Sequence, residues 1–245
     1  LAHPFTLKEM RAKTPEESFD LLMQHAGKIL SNARDSASSQ KEGKQTGPES
    51  EFYNNIDLLS AQFAIVMELS MVALQKNLPH NERVTGLLAD TFSNLYLAAQ
   101  VIRRWELEGR QESDIPLMQW GVKNCLHKGE TALHELIDNH PVQWVKKAAE
   151  TLINPNTRTM KKPSHTLDAQ VAKIVTTQGE ARDRLTKNIF MPTQPHEYVV
   201  RLENTMALAA KAFPHEKALY RSAKTNGKLH KALPISDLAF QTVMK

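Results

Sequence analysis

The sequence predicts an all-α protein, an antiparallel bundle of the four-helix type followed by a looser tail of short helices. Apolar residues recur at helical spacing through most of the first 140 residues, and the alternation typical of strands is weak throughout. Glycine (9 of 245 residues) and aromatic residues (6%) are scarce. That scarcity argues against a sandwich or barrel, because those folds need glycine-rich turns and aromatic strands.

Two helices are predicted in the first 80 residues. The first, at 15–32, follows Thr14 as a suitable N-cap, carries Pro15 at its first position and then shows apolar residues at helical spacing. A polar stretch rich in Ser, Gly and Lys at 35–50 reads as a loop. A longer helix at about 51–77 carries a wide apolar stripe.

Two more long helices are predicted before residue 140. One spans about 82–108, with Asn81 as its N-cap, and ends before Gly109. The other spans about 114–139, is capped by Ser113 or Asp114, and has Pro116 in its first turn. Long helices joined by short turns pack antiparallel, and the helix at 15–32 would complete the bundle.

Beyond residue 140 the chain is interrupted by seven prolines, and the predicted helices are shorter. They lie at about 142–152, 165–176, 196–212 and 214–225, and Ser164 can cap the second of them. We therefore predict two domains: a helical bundle at 1–140 and a basic helical extension at 141–245.

The charge follows the same division. Residues 1–140 carry 14 Lys and Arg against 19 Asp and Glu, a net charge of −5, whereas residues 141–245 carry 17 against 8, a net charge of +9. The extension therefore suits anionic partners such as phosphates, nucleic acid or an anionic membrane face. A solvated basic surface is the alternative.

Several classes of protein are excluded or disfavoured. With Cys125 as its one cysteine, the chain cannot form an internal disulfide or a multi-cysteine metal site. No run of about 18 apolar residues is present, so no membrane-spanning helix is predicted. The chain begins with Leu1 and shows no signal-peptide pattern, and we expect it to be a piece of a longer protein.

The residues suited to chemistry form few convincing patterns. Glu130, His134 and Asp138 follow i, i+4, i+8 spacing, which permits a metal site or a proton relay. Because the Glu-x-x-His pairs of di-metal bundles are missing, a row of exposed polar side chains is favoured and no metal site is predicted. Cys125 lies in mid-helix, where no helix N-terminus lowers its pKa, so a buried structural role is favoured over a nucleophilic one.

Nucleotide and nucleic-acid sites are also poorly supported. The P-loop, the G-x-G-x-x-G fingerprint and the G-x-S-x-G elbow are absent. Basic and aromatic residues interleave too sparsely for a nucleic-acid surface, even at Arg103-Arg104-Trp105, so no nucleic-acid partner is predicted. Residue chemistry alone yields no catalytic residue.

Two places in the basic extension remain open between alternatives. Arg182, Arg184 and Lys187 are candidate phosphate- or anion-binding residues, although a surface salt-bridge cluster is the favoured alternative. The helix at 142–152, with Trp144 on one side and lysines on the other, can lie on a membrane surface. It can also dock on the bundle through its apolar residues, which is the favoured alternative.

A set of short strings, in order and spacing, resembles the C-terminal part of the long bacterial acyl-CoA dehydrogenases of fatty-acid β-oxidation. The resemblance runs from Leu1 to about Leu202. The strings are His3-Pro4, Leu7-Lys8-Glu9-Met10, Leu59-Ser60-Ala61, Leu95-Tyr96-Leu97-Ala98, Glu108-Gly109-Arg110, Leu117, Trp120-Gly121-Val122, Pro163-Ser164, Leu167-Asp168, Val171-Ala172-Lys173, Arg182 and Arg184-Leu185.

The resemblance implies an FAD enzyme that forms the Cα–Cβ double bond of acyl-CoA. In that family a glutamate removes the α-proton, flavin N5 takes the β-hydride, and the helical bundle packs against flavin and acyl chain. The partners it implies are the acyl-CoA substrate, an electron-accepting flavoprotein and further copies of the full-length protein. The expected location is the cytoplasm, and the basic extension adds an expected peripheral contact at the inner membrane.

The resemblance assigns no catalytic residue to this chain. The family's glutamate lies in a V-E-G-like segment that would precede Leu1, and most of the FAD site would also lie upstream, so no cofactor-binding residue is assigned. The chain by itself is expected to be inactive. Thr157, Arg158 and Met160 depart from the more apolar stretch expected there. The alternative function is a non-catalytic helical interaction module whose basic tail docks on anionic membrane.

Overall fold

The apolar stripes of the sequence become the buried faces of long helices. A computed structural model describes residues 47–153 and 159–225, together with Gln24, Gly27, Lys28 and Ser31, which are helical. The predicted helix at 15–32 and most of the predicted loop at 35–50 otherwise lie outside the described residues.

Seven helices follow one another in the described ranges 47–153 and 159–225, which contain no strand, so the predicted all-α class is confirmed. A 3₁₀ turn at Gln75–His80 follows the first helix, and another at Glu112–Asp114 precedes the third. The helices are α1 (Ser50–Leu74), α2 (Glu82–Leu107), α3 (Ile115–Asp138), α4 (Gln143–Ile153), α5 (His165–Thr176), α6 (Glu180–Thr186) and α7 (Tyr198–Thr225).

Side-chain caps mark two of the helix starts that the sequence predicts. The Asn81 Oδ1 atom accepts a hydrogen bond from the backbone N–H of Val84 at 3.3 Å, at the start of α2. Ser164 Oγ accepts one from the backbone N–H of Leu167 at 3.2 Å, at the start of α5. Asp114 stands at the N-cap position of α3, but its side chain makes no capping hydrogen bond.

The three long helices pack against one another, and two glycines of α3 lie against neighbouring helices: Gly129 near Leu59 of α1 and Asn94 of α2, and Gly121 near Val101 of α2. A Cβ atom on Gly129 would lie 3.3 Å from Leu59 Cδ2, and one on Gly121 would lie 3.2 Å from Val101 Cγ1. A Cβ atom at either position would need the neighbouring side chain to shift by a few tenths of an ångström, so glycine favours close packing of α3 there.

The core of the bundle is continuous across α1 to α4. It includes the fully buried side chains of Leu59, Ile65, Leu69, Ile102 and Leu133. The stretch Ser50–His80 is long and apolar enough to cross a membrane by length and composition, which corrects the expectation that no segment would pass that test. A core helix of a bundle passes the same test, and α1 contributes three of the core residues named above.

Helix α4 docks on the bundle. Its residues Val145, Ala148, Ala149 and Ile153 are buried, and α4 contacts both α1 and α3. The predicted docking of this helix is therefore confirmed, and its apolar face is not free to lie on a membrane.

The chain divides into two compact units, Leu1–Val171 and Ala172–Lys245, which we call the bundle unit and the second unit. The charge and proline pattern predicts a domain boundary earlier, at 140/141, and that functional division stays a prediction. Within the second unit, α6 was not predicted, because seven residues carry too little periodicity. The separate helices predicted at 196–212 and 214–225 form one helix, α7, which continues through Pro214.

Candidate functional site

An open groove of about 730 Å³ runs along the surface of the bundle unit. One wall is α2, the floor is α3, and the other wall is the segment at 162–168 that leads into α5. The lining surface is more apolar than polar, and its charged residues carry both signs. It includes Asp90, Trp120, His127, Lys128, Lys162 and Asp168.

The segment that forms the second wall is fixed by a buried carboxylate on α3. The side chain of Glu130, 2% exposed, accepts hydrogen bonds from the Thr159 backbone N–H at 2.9 Å and from its hydroxyl at 3.2 Å. Its other oxygen accepts from the Met160 N–H at 3.1 Å. His127 Nδ1 lies 2.9 Å from the Met160 carbonyl oxygen, which can only accept, so Nδ1 carries the proton.

The same wall is joined to α3 at a second point. Trp120 Nε1 donates a hydrogen bond to Asp168 Oδ1 at 2.7 Å, and His165 Nδ1 lies 3.6 Å from Asp168 Oδ2. Trp120 and Asp168 come from two of the strings on which the family resemblance rests. The fold therefore brings together residues that stand far apart in the sequence.

The row Glu130, His134 and Asp138 is not the exposed polar row that the sequence favours. Glu130 and His134 are each 2% exposed, and Asp138 alone is exposed. The i, i+4 spacing fixes only that the residues share a face, and this face turns toward the core and the segment at 159–160. Within the part of the chain that the structure describes, no group of three or more His, Cys, Asp or Glu could hold a metal ion.

The surroundings of Cys125 and Trp105 fit structural roles rather than chemical or nucleic-acid-binding ones. Burial raises the pKa of the Cys125 thiol, and the charge of Lys128 opposes that effect only in part, so the thiolate needed for nucleophilic chemistry is disfavoured. Trp105 is 6% exposed and donates its Nε1–H to the Gln111 carbonyl at 3.0 Å, so its indole is not available for base stacking.

The predicted anion-binding residues are partly engaged with carboxylates. Arg182 Nη2 donates to Glu203 Oε1 at 2.6 Å, and Arg182 Nε donates to the Val175 carbonyl oxygen at 3.1 Å. Arg184 Nη1 lies 3.6 Å from Glu180 Oε2, while Lys187 is exposed. These contacts are those of a salt-bridge cluster, and anion binding by Arg182, Arg184 and Lys187 stays a prediction.

A polar network that joins the start of α1 to the end of α2 was not predicted from the sequence. The Tyr53 hydroxyl donates to Glu106 Oε1 at 3.0 Å, and Arg110 bonds the same oxygen at 2.8 Å and Glu49 at 3.3 Å. Burial opposes ionisation of Glu106, but the bonds from Arg110 and Tyr53 outweigh it and hold the pKa of Glu106 below its usual range. The i, i+4 spacing of Glu106 and Arg110 was the available signal.

The described residues therefore form a helical bundle with an open surface groove, and they contain no assembled catalytic group. The family model of the bacterial-type acyl-CoA dehydrogenase C-terminal domain matches residues 1–243, and the chain belongs to that family. It is thus a region of an acyl-CoA dehydrogenase, an oxidoreductase family whose members generally use FAD. No solved structure matches the chain.

The described residues do not by themselves fit a whole FAD. A dinucleotide pyrophosphate needs several free N–H donors and cations that converge on it. The N–H groups of Thr159 and Met160, just before the groove wall, are already taken by Glu130. The two lysines of the groove share it with carboxylates: Asp90, Glu135 and Asp168. The family's cofactor must draw most of its contacts from other residues.

Proposed function

We propose that this chain is the C-terminal region of an FAD-dependent acyl-CoA dehydrogenase that forms the Cα–Cβ double bond of acyl-CoA in fatty-acid β-oxidation. The observation that carries the proposal is the family match over residues 1–243. The helical bundle, which has no assembled catalytic group among the residues that the structure describes, fits a non-catalytic role for this region. The catalytic glutamate and most of the FAD contacts then belong to residues that precede Leu1.

The proposal includes partners and a location. The full-length protein acts on acyl-CoA, passes electrons to an accepting flavoprotein and forms homo-oligomers. It works in the cytoplasm and makes peripheral contact with the inner membrane through its basic extension. The net charge of +9 over residues 141–245 supports that contact, because a basic surface is attracted to anionic lipid.

Anion binding by Arg182, Arg184 and Lys187 is kept as a minor part of the proposal. Lys187 is exposed and supports it, whereas the ion pairs of the two arginines weaken it. A Lys187→Gln variant would then lose affinity for inorganic phosphate, measured by calorimetry. Equal binding by the variant and the wild type would remove this part of the proposal.

The test compares the full-length gene product with the 1–245 chain. The full-length protein should retain flavin absorbance through gel filtration and convert a saturated acyl-CoA to the 2-enoyl-CoA. The 1–245 chain should show a helical circular dichroism spectrum, retain little flavin and give no turnover. Retention of flavin and turnover by the 1–245 chain would contradict the proposal that catalysis lies elsewhere.

A variant of the full-length protein tests the proposed catalytic base. If a V-E-G-like segment precedes Leu1 in the gene, its glutamate is replaced by glutamine in the full-length protein. We expect the variant to keep the flavin spectrum but to lose most of its activity, since loss of a general base typically costs about 10²- to 10⁴-fold in rate. A full-length protein that binds no flavin at all would refute the proposed reaction.

A further inference from the structure

Exposed apolar surface is concentrated in the second unit. Among the described residues, eleven of the fifteen large hydrophobic residues that are exposed lie between Val175 and Tyr220. Large patches of exposed apolar surface on soluble proteins commonly mark interaction sites. The second unit is therefore the part of the described chain that most needs a partner.

The single most exposed of these residues, Phe190, lies in the loop between α6 and α7, next to two other exposed apolar residues. Ile189 is 59% exposed, Phe190 is 84% exposed and Met191 is 45% exposed. We call these three residues the apolar loop. Three successive side chains that all face solvent present apolar surface outward, rather than enclosing a pocket for a small ligand.

Helix α7 repeats the pattern. None of its described side chains is buried, and four of its exposed apolar residues fall on one helical face by their spacing. These are Tyr198, Leu202, Phe213 and Tyr220. Helix α7 therefore adds exposed apolar side chains to those of the loop that precedes it.

The charge of the second unit decides between kinds of partner. Its described residues, 172–225, carry nine Lys and Arg against five Asp and Glu, a net charge of +4. Two copies meeting through this unit would bring like charges together, which is unfavourable. An anionic lipid surface attracts the same charges and accepts exposed apolar side chains without the shape complementarity that a protein partner must supply.

We propose that the apolar loop is the membrane anchor of this protein and inserts Ile189, Phe190 and Met191 into the interfacial region of an anionic bilayer. Lys187, exposed and two residues before the loop, would remain at the level of the lipid headgroups. The proposal rests on the peripheral membrane contact proposed above and names the residues that make it.

The experiment is co-sedimentation of the 1–245 chain with vesicles of phosphatidylcholine alone and with about one third phosphatidylglycerol added, a composition that supplies the anionic surface. The wild type should bind the anionic vesicles, bind the neutral ones less, and release as salt is raised. The double variant Ile189→Ser, Phe190→Ser should bind the anionic vesicles at least about tenfold more weakly, because the transfer of two large apolar side chains is lost.

The control is Leu107→Ser in the bundle unit, which removes a side chain that is 70% exposed but lies outside the loop. It should bind like the wild type. A Phe190→Trp variant provides a second readout, since tryptophan placed in the bilayer is quenched by brominated lipid. The wild type supplies the background from the three native tryptophans.

The outcomes separate the two proposals. If the wild type does not bind anionic vesicles, both the membrane contact and the anchor are refuted. If it binds and the double variant binds equally well, the membrane contact stands and the anchor is refuted. If the double variant instead abolishes self-association seen without vesicles, the loop is a protein interface and the anchor is again refuted.

Discussion

The bundle unit and the second unit are both helical, yet they bury apolar surface very differently. Every buried hydrophobic residue in the described ranges lies between Phe52 and Leu167, and no described residue of the second unit is buried. Helical periodicity is present in both units. The difference shows that periodicity indicates a helix, whereas burial depends on whether neighbouring elements cover the apolar face.

The two units should therefore differ in stability. The bundle unit has a continuous core from α1 to α4 and should unfold cooperatively. The second unit has ion pairs such as Arg182–Glu203, but none of the side chains that the structure describes in it is buried, so its helices should open at low free-energy cost until a partner covers them.

The largest expected difference between the units is the effect of leucine truncation. Leu133→Ala in α3, where the side chain is fully buried, should lower the free energy of unfolding by about 3 kcal/mol. Leu208→Ala in α7, where the side chain is 66% exposed, should change it by less than about 0.5 kcal/mol. Urea denaturation followed by circular dichroism measures both. Equal effects would contradict the difference in burial between the two units.

The second prediction concerns the carboxylate that fixes the groove wall. Glu130→Ala should lower the free energy of unfolding by about 2 to 3 kcal/mol, because it leaves the N–H groups of Thr159 and Met160 without their acceptor. Glu135→Ala, an exposed carboxylate on the same helix, is the control and should cost less than about 0.5 kcal/mol. A Glu130 variant as stable as its control would show that the hydrogen bonds from Thr159 and Met160 to Glu130 contribute little to stability.

The third prediction uses two glycines in neighbouring helices. Gly129→Ala should destabilise the bundle by about 1 kcal/mol, because the new methyl group would press on Leu59 and Asn94 and outweigh the gain in helix propensity. Gly86→Ala, which meets nothing within 4 Å, should stabilise it by about 0.5 to 1 kcal/mol. Thermal unfolding distinguishes the signs, and stabilisation by both would mean that α2 and α3 are not tightly packed at Gly129.

The smallest effect expected is a pH dependence from His140. Burial lowers the pKa of His140 from its ordinary value of 6.5, and its ring contacts Ser70 Oγ at 3.3 Å and the Val142 N–H at 3.2 Å. The unfolded chain then binds the proton more readily than the folded one, so stability is full above pH 6.5 and falls as the pH drops below that value.

Substitution separates this histidine from the other titrating groups. His140→Gln should flatten the loss of stability just below pH 6.5 relative to the wild type. An unchanged slope in His140→Gln would assign the pH dependence to other groups.

Much of the fold could be predicted from the sequence because its signals are local. Asn81 and Ser164 cap helices where their side chains are followed by apolar periodicity, and α5 spans the predicted residues 165–176. The continuity of α7 through Pro214 could not be predicted, since proline disfavours helix without forbidding it.

The groove could be predicted only in part. Trp120 and Asp168 were recognised as members of short strings, but their hydrogen bond joins residues 48 apart. The burial of Glu130 depends likewise on where the segment at 159–160 crosses α3. Spacing within one helix contains no information about such crossings. An exposed polar row was therefore expected where the carboxylate of Glu130 is in fact buried and hydrogen-bonded.

Hydrogen–deuterium exchange of the 1–245 chain, read by mass spectrometry with and without anionic vesicles, tests the difference between the units most directly. Peptides from α1 to α3 should be strongly protected in both conditions. Peptides from Ala172–Thr225 should exchange rapidly in buffer and more slowly with vesicles. Strong protection of Ala172–Thr225 in buffer, equal to that of the bundle unit, would contradict the account.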